Sequence, residues 1–214
     1  MKIISHRGYW KSEEEKNTNI AFDRSFNLAF GTETDIRDFD GELVISHDPA
    51  RRGAIKLKDF LESYKNLTNE LPLALNIKSD GLAFKLAEHM KERQLDWFSF
   101  DMSIPDTRHH LAAGNPVFIR VSEFERHPPW LEKSAGIWLD AFESIWYDRA
   151  LIESYLRKNL KVCVVSAELH GRDHADLWDL LRPLAQNPNL LLCTDLPELA
   201  RSYFSSAPKN SSKP

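Results

Sequence analysis

The chain has 214 residues, 42% of them hydrophobic, and 28 Lys and Arg stand against 32 Asp and Glu for a formal net charge of -4. That length is enough to bury a core in one or two domains, and the charge balance lacks the basic excess that nucleic acid or an anionic membrane attracts, so neither is expected as a partner. Met1-Lys2 leads directly into Ile3-Ile4 and a polar turn, and no run of the chain approaches a membrane span. The expected location is cytoplasmic.

Eight short apolar runs, each closing on polar or charged residues, recur in chain order: KIISHRG (2–8), GTETDIR (31–37), LALNIKSD (73–80), WFSFDMS (97–103), PVFIRVSE (116–123), GIWLDAF (136–142), KVCVVSAELH (161–170) and NLLLCTD (189–195). Helical spacing separates several of them. Ile20, Phe22, Phe26 and Phe30 follow a Thr18 cap, and Leu82, Leu86 and Met90 form a second set. Leu151, Tyr155 and Leu156, then Leu177, Leu181 and Leu184, form two more. Strand alternating with helix implies a parallel sheet, and continuous apolar strands imply burial on both faces. Eight such strands fit closure into a (β/α)8 TIM barrel, with an open doubly wound sheet as the alternative. A single domain is expected over residues 1–204, with a polar tail, SSAPKNSSKP, over 205–214. Cys163 and Cys193 sit in apolar runs without Cys-x-x-Cys spacing and read as buried, reduced thiols.

A barrel gathers the polar residues at its strand ends around one mouth, because its sites are built at the C-terminal ends of the strands. His6, Glu33, Asp35, Asn76, Lys78, Asp101, Arg120, Glu123, Asp140, Glu168 and Asp195 would ring it. Side chains alternate along a strand, so Glu33 shares a face with Asp35, and Asn76 with Lys78. Two carboxylates on one face of a buried strand repel each other, and a bound cation or a raised pKa relieves them. Arg120 adds a polar contact at the mouth. Among the other histidines, His109 and His110 read as surface helix and His170 as a loop residue.

HRG at 6–8, KNT at 16–18 followed by an Ala-Phe, then ETD at 33–35 and DGELVISHDP at 40–49, form an ordered set that resembles the glycerophosphodiester phosphodiesterase family. LNIK at 75–78 resembles that family's strand ending in Glu-x-Lys. The resemblance implies a TIM barrel of the phosphodiesterase type acting on a small-molecule phosphodiester. It makes His6 and His47 the acid and base, Glu33 and Asp35 ligands of a divalent metal, Mg²⁺ or Ca²⁺, and Arg7 and Lys78 the phosphate clamp. Three departures stand out. Lys16 replaces a Glu, the spacing from Glu33 to Asp40 is one residue short, and Asn76 takes the place of the third metal-binding Glu. An amide oxygen ligates Mg²⁺ or Ca²⁺ without adding negative charge, so weaker metal binding is expected. The residues leave three activities open: metal-assisted hydrolysis to glycerol 3-phosphate or a related phosphomonoester, a lyase-like reaction ending at a cyclic phosphodiester, and a phospho-ligand binding module without chemistry.

Overall fold

The computed structural model describes residues 1–65 and 70–205. Its strands, in chain order, are β1 (Lys2–Ser5), β2 (Gly31–Phe39), β3 (Glu42–Ile45), β4 (Ile55–Lys56), β5 (Leu73–Ile77), β6 (Trp97–Phe100), β7 (Phe118–Val121), β8 (Gly136–Leu139), β9 (Lys161–Val165) and β10 (Leu190–Thr194). The helices are α1 (Asn19–Asn27), α2 (Leu57–Lys65), α3 (Ala83–Met90), α4 (Ile104–Ala112), α5 (Arg149–Leu156), α6 (Ala175–Leu181) and α7 (Pro197–Ser205). All eight apolar runs are strands.

Their parallel pairing runs β1, β2, β5, β6, and then β7, β8, β9, β10 and back to β1. A bridge between Ser99 and Val117 joins β6 to β7, with the Ser99 amide donating to the Pro116 carbonyl at 2.9 Å. The ring of pairings therefore returns to its start, and the fold is the expected (β/α)8 barrel. Between β7 and β8 a single 3-10 turn, Leu131–Lys133, stands where the repeat would place a helix. Pro128 and Pro129 in that connection remove two amide donors and block helical continuation.

Alternation along the strands explains the core. Ile4, Ala74, Phe98, Phe100, Phe118, Trp138, Cys163, Val165, Leu191 and Cys193 form one buried cluster that fills the barrel interior. Phe98 stacks on Phe118 at 3.6 Å between ring centroids, and Phe100 on Trp138 at 3.8 Å. The opposite face of each strand packs against the helices in two further clusters. Both cysteines are free thiols inside the barrel, with pKa values pushed well up by burial.

Three expectations need correction. His110 is fully buried in α4, with Nε2 3.4 Å from Asp106 and Nδ1 3.1 Å from the Asn115 amide, while its neighbour His109 is half exposed. Phe30 lies beyond the end of α1 and is buried where the chain turns into β2. Thr18 holds the N-cap position of α1, yet its hydroxyl donates to the Glu15 carbonyl instead of accepting a helix amide. Ser205 ends α7, and the rest of the expected tail lies outside the described residues. No helix among the described residues is long and apolar enough to cross a membrane.

Candidate functional site

The inward positions of the barrel strands run apolar in their lower layers and change to charge at the mouth. On β1 the alternation that buries Ile4 carries on to His6, and on β5 Ala74 is followed by Asn76 and Lys78. On β7 Phe118 precedes Arg120, on β8 Trp138 precedes Asp140, and on β10 Cys193 precedes Asp195. β2 departs from this order. Its inward residues Glu33, level with Ala74, and Asp35, level with Asn76, are 1% and 0% exposed, so the acid pair is buried from the apolar layer up to the mouth.

The HRG turn is tied to that pair. Arg7 adopts a φ of 56° and Gly8 of 81°, and the turn directs the Arg7 amide at Glu33 Oε2 (3.1 Å) and the Gly8 amide at Thr32 Oγ1 (3.0 Å). A Cβ on Gly8 would lie 2.7 Å from Ala21 Cβ and 2.9 Å from the Ala21 carbonyl carbon. Only glycine satisfies both the positive φ and the close approach to α1. Arg7 Nε stands 3.0 Å from Asp35 Oδ2, which also accepts the Asn17 side-chain amide at 2.8 Å. Asn17 is held in turn by the Thr34 hydroxyl, which donates to its Oδ1 at 2.8 Å. Arg7, Asn17 and Asp101 are all non-glycine residues with positive φ, so left-handed backbone conformations gather at this mouth.

Lys78 Nζ is 3.4 Å from Asp35 Oδ1 and 3.8 Å from Asp101 Oδ2. Asp101 in turn pairs with Arg120, whose guanidinium also binds Glu125. A chain of alternating charge therefore runs Asp35, Lys78, Asp101, Arg120, Glu125 around one side of the opening. Arg120 is thus engaged by two carboxylates. Burial, and then the neighbouring Asp35, raise the Glu33 carboxyl to a pKa of about 7, against the opposing pull of His6, Arg7 and Lys78.

His6 Nδ1 lies 2.9 Å from Asp195 Oδ1, and Nε2 has no hydrogen-bond partner among the described residues. The sequence placed Asp195 at the mouth but gave no sign that it holds His6, because the contact spans 189 residues and arises only where β1 meets β10. His47 sits apart, on the exposed loop after β3, with Nδ1 2.9 Å from Asp48. No hydrogen bond or ion pair among the described residues joins it to His6, Glu33 or Asp35. It reaches the site as a wall of an open cleft of about 610 Å³ that Arg7 and Asn17 also line. A second pair lies on the β8 side, where His170 Nε2 contacts Asp140 Oδ1 at 2.7 Å and Phe142 packs on the imidazole.

For a divalent cation the available donors are Glu33, Asp35 and Asn76. Asp35 and Asn76 are direct neighbours in the β2 to β5 register. Asp35 Oδ1 and Asn76 Oδ1 are both buried without a hydrogen-bond partner. Two such oxygens beside a buried carboxylate fit an oxygen-seeking cation, with Lys78 competing for Asp35. Among the described residues no group of three or more His, Cys, Asp or Glu is arranged to hold a metal.

Neither a protein-family model nor a curated protein matches the sequence. Solved structures do. A glycerophosphoryl diester phosphodiesterase from Parabacteroides distasonis is similar over 99% of this chain and 88% of its own, at 14% identity and a TM-score of 0.65. The fold is that of the phosphodiesterase barrels. A Ca²⁺-dependent phosphatidylinositol-specific phospholipase C from Streptomyces antibioticus is similar over 95% of both chains, at 11% identity and a TM-score of 0.56. A dihydropteroate synthase from Anaplasma phagocytophilum follows at 11% identity and a TM-score of 0.50, so the same barrel also carries unrelated chemistry.

Proposed function

We propose that the chain is a phosphoric diester hydrolase of the glycerophosphodiester phosphodiesterase type, releasing an alcohol and glycerol 3-phosphate or a related phosphomonoester. The observation that carries this reading is the convergence on the Glu33 and Asp35 pair of two cations, Arg7 and Lys78, with the carboxylate-held imidazole of His6 nearby. The ordered sequence motifs and the likeness of fold support it.

A phosphodiester carries one negative charge that repels nucleophiles, and its leaving alkoxide needs a proton. Arg7 offers a planar guanidinium fork and Lys78 a compact ammonium for the non-bridging oxygens, and both lie where an anion would replace Asp35 as their partner. His6 is oriented through Nδ1 by Asp195, which leaves Nε2 to exchange a proton with the reacting oxygens. Hydrolysis takes one proton from water and gives one to the departing oxygen. His6 and His47 are assigned to these two transfers, His47 from the rim of the cleft. A divalent cation, Mg²⁺ or Ca²⁺, held by Glu33, Asp35 and Asn76 would supply charge neutralisation on the phosphoryl oxygens. The likeness to the Ca²⁺-dependent phospholipase C supports a cation there.

Glycerophosphodiesters assayed with Mg²⁺, Ca²⁺ or chelator, with products read by phosphorus NMR, test the proposal. Wild-type protein should give a phosphomonoester, and His6→Ala and His47→Ala should each lose about 10² to 10⁴ in turnover. A cyclic diester as the final product would move the protein to the lyase reading. Binding without turnover in wild type would make it a phospho-ligand module. Near-wild-type turnover in either variant would break the paired assignment.

A further inference from the structure

The phosphate clamp needs only Arg7 and Lys78, yet the adjoining cleft holds three more cations. Lys16, Arg51 and Arg52 line it together with Arg7, Asn17 and His47. Arg51 and Arg52 are exposed, and neither guanidinium has an ion-pair or side-chain hydrogen-bond partner among the described residues. Lys16 is held over the Trp10 ring at 4.3 Å and pairs at 2.7 Å with Glu13, whose side chain is largely in water. The acids facing the cleft are Glu13 and Asp48, the latter beside His47. Four permanent cations therefore meet two carboxylates, on a protein whose net charge is -4. Such a concentration of one sign in a cleft attracts the opposite charge.

The cleft is anchored to the candidate site. The Ser46 amide donates to the Asp35 carbonyl at 3.0 Å, and Arg37 Nε donates to the His47 carbonyl at 3.1 Å. Ser46 Oγ closes the turn on the Asp48 carbonyl at 2.8 Å, and the Ala54 amide closes the next on the Arg51 carbonyl at 3.1 Å. The loop that carries Arg51 and Arg52 is thus fixed to the strand that carries Asp35. Arg7 belongs to both places, since it contacts Asp35 and lines the cleft.

We propose that the cleft of Lys16, Arg51 and Arg52 binds a second anionic group of the substrate, a phosphomonoester carried on one alcohol of the diester. This rests on the phosphodiesterase reading and narrows it to doubly phosphorylated substrates. Guanidinium forks and an ammonium suit a dianionic phosphate, and Arg7 borders both the cleft and the Asp35 site.

The test uses wild-type protein and an Arg51→Ser/Arg52→Ser double variant, whose changes fall on an exposed loop. Glycerophosphoinositol and glycerophosphoinositol 4-phosphate serve as a matched pair of diesters. Wild type should show about tenfold higher kcat/KM on the phosphorylated member, a preference weakened by salt and largely removed in the variant. Equal kcat/KM on the pair, or a preference that survives in the variant, overturns the inference and leaves the phosphodiesterase reading intact. Hydrolysis of neither diester would count against that reading. Calorimetry with inorganic pyrophosphate then judges the cleft by itself. A dissociation constant raised about tenfold in the variant supports the second anion site, and absent or unchanged binding overturns it.

Discussion

Glu33 gives the sharpest test of the site's electrostatics, because its carboxyl is buried beside Asp35 with a pKa raised to about 7 from an ordinary 4.5. The sign follows from proton binding. Below pH 4.5 the folded and unfolded states both carry the proton, and between 4.5 and about 7 only the folded state does. Folding therefore takes up a proton in that window, and stability falls as pH rises through it. Above pH 7 both states are ionised and the whole penalty stands. The interval from 4.5 to about 7 corresponds to roughly 3 kcal/mol. Because the side chain is 1% exposed, solvent does not screen this away. Glu33→Gln keeps an oxygen for the Arg7 amide at 3.1 Å and removes the charge. Guanidinium denaturation in chelator at pH 5 and pH 8 measures the effect. The variant should be more stable than wild type at pH 8 by about 3 kcal/mol and should lose that much less between the two pH values. Titrating groups remote from this site are common to both proteins and cancel in the difference. An identical pH dependence in the two proteins would show that Glu33 is ionised in the native state throughout, and the account of a strained acid pair would fail.

Gly8→Ala should destabilise the fold by about 2 to 4 kcal/mol, since the new methyl group meets Ala21 at 2.7 Å and the backbone stays at a φ of 81°; an unchanged denaturation midpoint would refute the steric argument. Asn76→Glu should tighten divalent metal binding in the substrate-free protein by about tenfold, read by calorimetry, with turnover unchanged or reduced because Lys78 gains a competing partner. If that variant left metal affinity unchanged while Glu33→Gln abolished it, Asn76 would lie outside the coordination sphere.

Most of the barrel strands were legible because they are buried on both faces and so read as continuous apolar runs, whereas β2 is buried with Thr, Glu and Asp side chains. The β2 to β3 hairpin was legible as an Asp40-Gly41 turn followed by the apolar run Leu43 to Ile45, but not as a strand outside the barrel. Asp40 and Gly41 have φ values of 48° and 76°, and Phe39 pairs with Glu42 across them, which is the two-residue turn that Asp-Gly favours. The strand ELVI beyond it then pairs back along β2, so part of the acidic stretch 31–49 is hairpin instead of barrel. Helices α2 and α7 escaped the sequence reading, and α4 was read only as a surface helix at His109 and His110. In α4 the buried members include Asp106, Thr107 and His110, polar residues that carry no hydrophobic periodicity. His110 looked like a surface residue for the same reason: it is a polar residue whose burial depends on the Asn115 amide at Nδ1 and on Asp106 at 3.4 Å, contacts that its own polarity does not announce.

At the site, alternation along each strand identified which side chains face the mouth but not which of them pair. Asp195 meets His6, and Asp101 links Lys78 to Arg120, only because neighbouring strands bring together residues that lie far apart in the chain. Those pairings also bear on the position of Asn76. Two buried acids, Glu33 and Asp35, face two bases, Arg7 and Lys78, and a third carboxylate at position 76 would leave an uncompensated buried charge unless a divalent cation were bound at all times. With an amide there, the substrate-free site is already balanced. An anionic substrate that draws Arg7 and Lys78 away from Asp35 would expose Asp35 Oδ1 and Asn76 Oδ1, the two buried oxygens without hydrogen-bond partners, and thereby strengthen cation binding. On this argument substrate and metal bind with positive coupling, each raising the other's affinity by the same factor.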